Sequence, residues 1–198
     1  MEKLKNRKED ILRFLQPYME ECFQKSCQLM QTDIEKHGTE IWFRLRDTLN
    51  EVLQVSEDAQ TRQQKGPIQY LVISFLRSGI YMDKLTFYLE SLDDSFYLDH
   101  QETARIFEMT FLQKQFMDDV SFLHKKVKEK FIRLQNYELL EIREEYAFFY
   151  YSIVFEMLKH LSELMVHEIE RSNVKITDQF KILYGEYLET STVVYPKE

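Results

Sequence analysis

The sequence predicts a mostly α chain of the α+β class: a bundle of about five or six helices around two long, antiparallel C-terminal helices, with one β-hairpin inserted. Three observations lead there. Only 4 Gly and 3 Pro occur in 198 residues, well under the usual combined share of about 12%, so the punctuation of many-stranded folds is missing. Apolar residues recur at i, i+3, i+4 and i+7 over most of the chain. One short stretch near the middle alternates with period two instead. The whole, 1–198, reads as one domain.

Each element follows from its local pattern. Ile11, Leu12, Leu15, Met19, Cys22, Leu29 and Met30 form a stripe that predicts a helix over 7–35, with Pro17 expected to kink or divide it. His37 and Gly38 supply a stop, and Trp42, Leu45, Leu49, Val52 and Leu53 predict a second helix over 39–60. The run 68–76, IQYLVISFL, fits a buried strand as well as a helix. Pro67 in a first-turn position tips the reading to a helix over 67–78. Leu85, Phe87 and Leu89 alternate with polar residues, and a second apolar run, Phe96 to Leu98, follows a turn-like Asp93-Asp94-Ser95. Together they predict a hairpin over 84–99. Helices are expected over 101–134 and 137–171, and a last one over 176–189, before an extended end.

Charge and cysteine usage exclude several functions. Lys plus Arg number 26 against 34 Asp plus Glu, a net charge of -8. Such a chain repels a phosphate backbone unless its cations gather on one face. The densest basic stretch, His124 to Lys130, spreads around a helix. No nucleic-acid partner is therefore expected. Cys22 and Cys27, five apart on one predicted helix, point about 140° apart and read as free thiols. Met1 to Asp10 lacks the apolar stretch of a signal peptide, and no apolar run has the roughly 20 residues of a membrane span. The expected setting is the cytoplasm, with no membrane association.

Two constellations qualify as candidate sites. Glu156, His160, Glu163 and His167, continued by Glu170, fall within about 80° of helix circumference, the way carboxylates and imidazoles are presented in dimetal helical proteins. The helix 101–134 carries no Glu-x-x-His to complete such a site. The same arc also runs through Glu138, Glu141, Glu145 and Lys159, as a solvated face would. Arg143, Tyr146, Tyr150 and Tyr151 could line a pocket, since a tyrosine ring seeks burial while its hydroxyl seeks a partner. Cys22 or Cys27 beside His37 could be drawn as a thiol and base, but cysteines on an apolar stripe read as inert core residues. No GxSxG, HExxH or GxGxxG occurs, and the motifs suggest no catalytic residue, no cofactor and no known family.

The expected function is non-catalytic: an intracellular protein acting on a protein partner or as a homo-oligomer, since the aromatic residues on the two long helices exceed what one stripe buries. A metal-dependent helical-bundle enzyme and a small-molecule sensor with an aromatic pocket are the alternatives.

Overall fold

The computed structural model describes residues 2–101 and 103–196, with side chains from residue 7 onward except at 33, 34, 36 and 37. The chain runs α1 (Glu2–Thr61), β1 (Ile68–Leu76), α2 (Arg77–Tyr81), β2 (Thr86–Leu92), a 3-10 turn (Phe96–Leu98), β3 (Ala104–Glu108), α3 (Thr110–Lys130), α4 (Asn136–Arg171), β4 (Ile176–Glu186) and β5 (Ser191–Tyr195). The strands form a single mixed sheet in the order β3-β2-β1-β4-β5, in which β1 pairs antiparallel with β2 and parallel with β4.

This architecture overturns the predicted helical bundle. The chain ends in two strands, β4 and β5, so the helix expected over 176–189 does not exist. Its signal was present as the alternation Phe180, Ile182, Tyr184, all buried, with exposed Lys181 between. Residues 68–76 are the central strand rather than a helix. Neighbours on both edges and packing on both faces leave five consecutive buried residues, Leu71 to Phe75. That removes the alternation a half-buried strand would show. The predicted hairpin is half right: β2 is a strand, but its partner is β3, and Phe96 to Leu98 form a 3-10 turn. Consequently the helix expected over 101–134 starts only at Thr110. Neither Pro17 nor Gly38 interrupts α1. Pro17 is exposed and flanked by the buried anchors Leu15 and Met19, so the one lost ladder bond costs less than the packing holds.

Two compact units emerge, and both α1 and α4 contribute to each. The helical unit comprises Met1–Lys36, Ser78–Leu85 and Met109–Ser152. Within it Phe14 meets Phe131 edge-on at 5.6 Å, Phe23 meets Phe149 at 5.1 Å, and Arg7 Nε donates to Glu138 Oε1 at 2.5 Å. Phe116, Leu112, Leu123 and Val127 of α3 are completely buried, each side chain contributing about 1.5–3 kcal/mol.

The sheet unit comprises His37–Arg77, Thr86–Glu108 and Ile153–Glu198. Its helical segments cover one face of the sheet: Phe155 of α4 stacks on Tyr184 of β4 at 5.9 Å, and Ser56 Oγ of α1 lies 2.7 Å from Ser91 Oγ of β2. Ser91 in turn meets Thr103 Oγ1 at 2.7 Å, a chain of buried hydroxyls that satisfies polar groups inside an apolar layer. No helix among the described residues is long and apolar enough to cross a membrane.

Candidate functional site

The opposite face of the sheet carries the least conventional chemistry in the sheet unit. Strand pairing puts Tyr70, Val72 and Ser74 of β1, Tyr88, Glu90 and Leu92 of β2, and Leu183 and Gly185 of β4 on that face. Val72, Leu92 and Leu183 form a small buried patch, closed over by Tyr70, Phe96 and Tyr97. Phe96 reaches it through a left-handed backbone, φ 54°, which costs a bulky side chain energy and persists only where packing compensates. Its ring meets Tyr70 at 4.9 Å and Tyr97 at 4.2 Å.

That aromatic turn is anchored from behind by a buried ion pair. Lys65 Nζ donates to Asp99 Oδ2, with side-chain exposures of 0% and 2%. Asp99 also accepts from the backbone N–H groups of Asp93 at 3.2 Å and Gln101 at 2.9 Å. Removing two charges from water is repaid only when the remaining lone pairs are also filled, as here.

The β4–β5 turn closes the other side. Leu188 holds φ 61°, and the Tyr187 ring lies 5.3 Å from Tyr88 in a T-shaped contact. Gly185 admits the close return of this turn, because a Cβ there would sit 2.3 Å from the Thr190 carbonyl oxygen. The Tyr97 hydroxyl lies beside Ser191 and the Leu188 backbone; burial, and then the charge of Glu90, push its pKa up. Ser74 Oγ is fully buried and has no hydrogen-bond partner among the described residues. The set offers the Glu90 carboxylate, π faces and oxygen acceptors, while the exposed Lys181 lies on the same face opposite Tyr70, towards the other end of β4.

Tyr146 and Tyr150, both fully buried, donate to Asp119 Oδ2 at 2.7 and 2.8 Å, and Ser26 Oγ donates to the same oxygen at 2.6 Å. Burial first, and the Asp119 carboxylate with it, push both phenols well above the ordinary range. Arg143 turns elsewhere, to the Ile80 carbonyl at 3.2 Å and the Asp83 carboxylate, and the buried Tyr151 packs on Phe148 at 6.0 Å. The structure thus joins two of these four, on a carboxylate that sequence reasoning missed. Its signal was an aspartate set among Phe116, Val120 and Leu123 on the buried stripe of α3.

Glu156, His160, Glu163, His167 and Glu170 are all exposed on α4, and Glu156 pairs with Lys159 at 3.2 Å. Among the described residues no three His, Cys, Asp or Glu side chains gather in a way that could hold a metal ion. Cys22 is buried and its thiol is pushed up to about 11, by burial first and then by Asp119. Cys27 is half-buried, and the His37 side chain lies outside the described residues. In the basic stretch, Lys125, Lys128 and Lys130 are exposed, while Lys126 lies over the Tyr18 and Phe122 rings at 5.6 and 5.5 Å.

Charge is divided unevenly between the units. The helical unit has 15 Lys plus Arg and 15 Asp plus Glu, which leaves 11 against 19 in the sheet unit and places the whole net charge of -8 there. Comparison with models of known families, with curated proteins and with solved structures finds no match.

Proposed function

We propose that this chain is a non-catalytic cytoplasmic protein that acts as a homodimer, two copies pairing edge to edge along β3. The observation that carries the reading is the outer edge of the sheet. Ser91 N donates to Thr103 O, so by the alternation of an antiparallel ladder Arg105 and Phe107 also direct their backbone groups to β2. Ala104, Ile106 and Glu108 therefore direct theirs to the open side. The Ile106 side chain, on the sheet face it shares with Tyr88, is 61% exposed, on a five-residue strand with no proline.

Self-pairing is favoured by register. With Ile106 on the two-fold axis, Ala104 faces Glu108 of the second copy, and all three outward residues pair with no like charges opposed. The other edge strand, β5, is followed directly by Pro196, and proline cannot extend a ladder. Arg105 already caps the Ala104 carbonyl at 2.7 Å while its Nε donates to Glu51 at 3.1 Å, a guard that keeps the pairing weak. The two free cysteines suit a reducing compartment.

Light scattering on the purified protein tests this. A mass near twice 24.2 kDa at high micromolar concentration, reverting to a single chain in Ile106→Arg, is expected. A wild-type monomer under those conditions, or a dimer indifferent to Ile106→Arg, overturns it.

A further inference from the structure

We propose that the face of the sheet opposite the helices binds the ammonium head of an alkylamine, received between Glu90, Ser74 and the aromatic rings of Tyr88, Tyr97 and Tyr187. The Ser74 hydroxyl is buried without a partner among the described residues, which is destabilising, and it shares its face with Tyr88, directly opposite on β2, and with Gly185, directly opposite on β4. Glu90 stands two residues along β2 from Tyr88, on the same face. Two turns bring Tyr97 and Tyr187 to this face, each holding one residue, Phe96 or Leu188, at positive φ. Backbone strain of this kind gathers where a site is built.

The chemistry of the set selects a cation. A carboxylate with phenol rings repels anions and attracts a positive head group through charge and through the ring quadrupoles. The sheet unit carries the entire net charge of -8, which raises the local concentration of cations. Among organic cations a primary ammonium fits best. It carries three N–H donors, and the face presents Glu90, Ser74 Oγ and the Tyr97 hydroxyl oxygen as acceptors. A quaternary ammonium has no N–H and leaves Ser74 unsatisfied. The source is a free small amine or the end of a lysine side chain, which share this head group.

Titration of the full chain, followed by calorimetry and tyrosine fluorescence, tests the proposal with n-butylammonium, Nα-acetyl-lysine amide and tetramethylammonium as probes. Saturable binding of either primary amine is expected, with tetramethylammonium at least about tenfold weaker; the tighter of the two amines identifies the source. Glu90→Gln should weaken binding more than about tenfold and Ser74→Ala about threefold or more, the first removing a charge-assisted bond and the second a neutral one. Should Glu90→Gln fail to fold, Ser74→Ala and Tyr97→Phe carry the comparison, since each deletes a single oxygen. Absence of saturable binding, equal affinity in the folded variants, or tetramethylammonium binding as tightly as n-butylammonium overturns it. Dimer formation through β3 is measured separately, so neither result stands in for the other.

Discussion

Ser26 of α1 and Asp119 of α3, ninety-three positions apart, share a buried hydrogen bond of 2.6 Å, and the oxygen that accepts it also accepts from Tyr146 and Tyr150 of α4. One carboxylate therefore ties three helical segments of the helical unit together. Asp119→Ala leaves three hydroxyls without their acceptor and should lower stability by about 3–5 kcal/mol. Tyr146→Phe removes one bond to a charged group and should cost about 2 kcal/mol. Urea denaturation measures both, and equal losses in the two variants would contradict the shared-acceptor arrangement.

The same node sets the alkaline limit of stability. Cys22 titrates near 9.0 when unperturbed and is pushed up to about 11 in the fold; Tyr146 and Tyr150 are raised as well. A group whose folded pKa is raised stabilises the fold fully below its unfolded value and loses that contribution as pH rises through the folded one. Stability should therefore hold to about pH 9 and fall between 9 and about 11. Urea midpoints taken across that range check the sign; a midpoint that rises with pH there would refute it.

Lys65 and Asp99 give a second stability test, in the sheet unit. Lys65→Met leaves the Asp99 carboxylate buried without its countercharge and should cost about 3–5 kcal/mol. The double variant Lys65→Met with Asp99→Leu removes both charges and should recover part of the loss, less the backbone N–H groups of Asp93 and Gln101 that Asp99 serves. Thermal melts of the single and double variants distinguish the two outcomes.

At Gly185 the neighbours are backbone. An added Cβ would meet the Thr190 carbonyl oxygen at 2.3 Å and the Ser191 Cα at 2.9 Å, neither of which is the end of a flexible side chain. Gly185→Ala should lower stability by about 1–3 kcal/mol and loosen the β4–β5 turn, visible as faster amide exchange over 187–191. Unchanged exchange would mean that the turn does not depend on this close approach.

Arg105 supplies a test of the edge with the opposite sign. Since its guanidinium caps the Ala104 carbonyl, Arg105→Ala should uncover that acceptor and strengthen self-association, so the dimer forms at lower protein concentration by light scattering. Weaker association in Arg105→Ala would show that the arginine belongs to the interface rather than guarding it.

What the sequence by itself determined lies mainly where the pattern is local. Residues 136–171 form the helix their periodicity predicts, and the free cysteines, the scarcity of glycine and the exposed polar stripe Glu156 to Glu170 were legible without coordinates. Among the strands β2 was legible from its alternation over Phe87 to Glu90, whereas the alternation of β4 over Phe180 to Tyr184 is present and still reads as helix. Tertiary structure decided the rest, for a physical reason. A strand is stabilised by neighbours distant in sequence, so β1 is a strand because β2 and β4 flank it, and a helical reading of 68–76 could not be dismissed from nine residues alone. The same holds for the sites. Asp119 gains its meaning from Ser26, Tyr146 and Tyr150, and Ser74 shares a face with Tyr88 and Glu90, residues that only folding brings together.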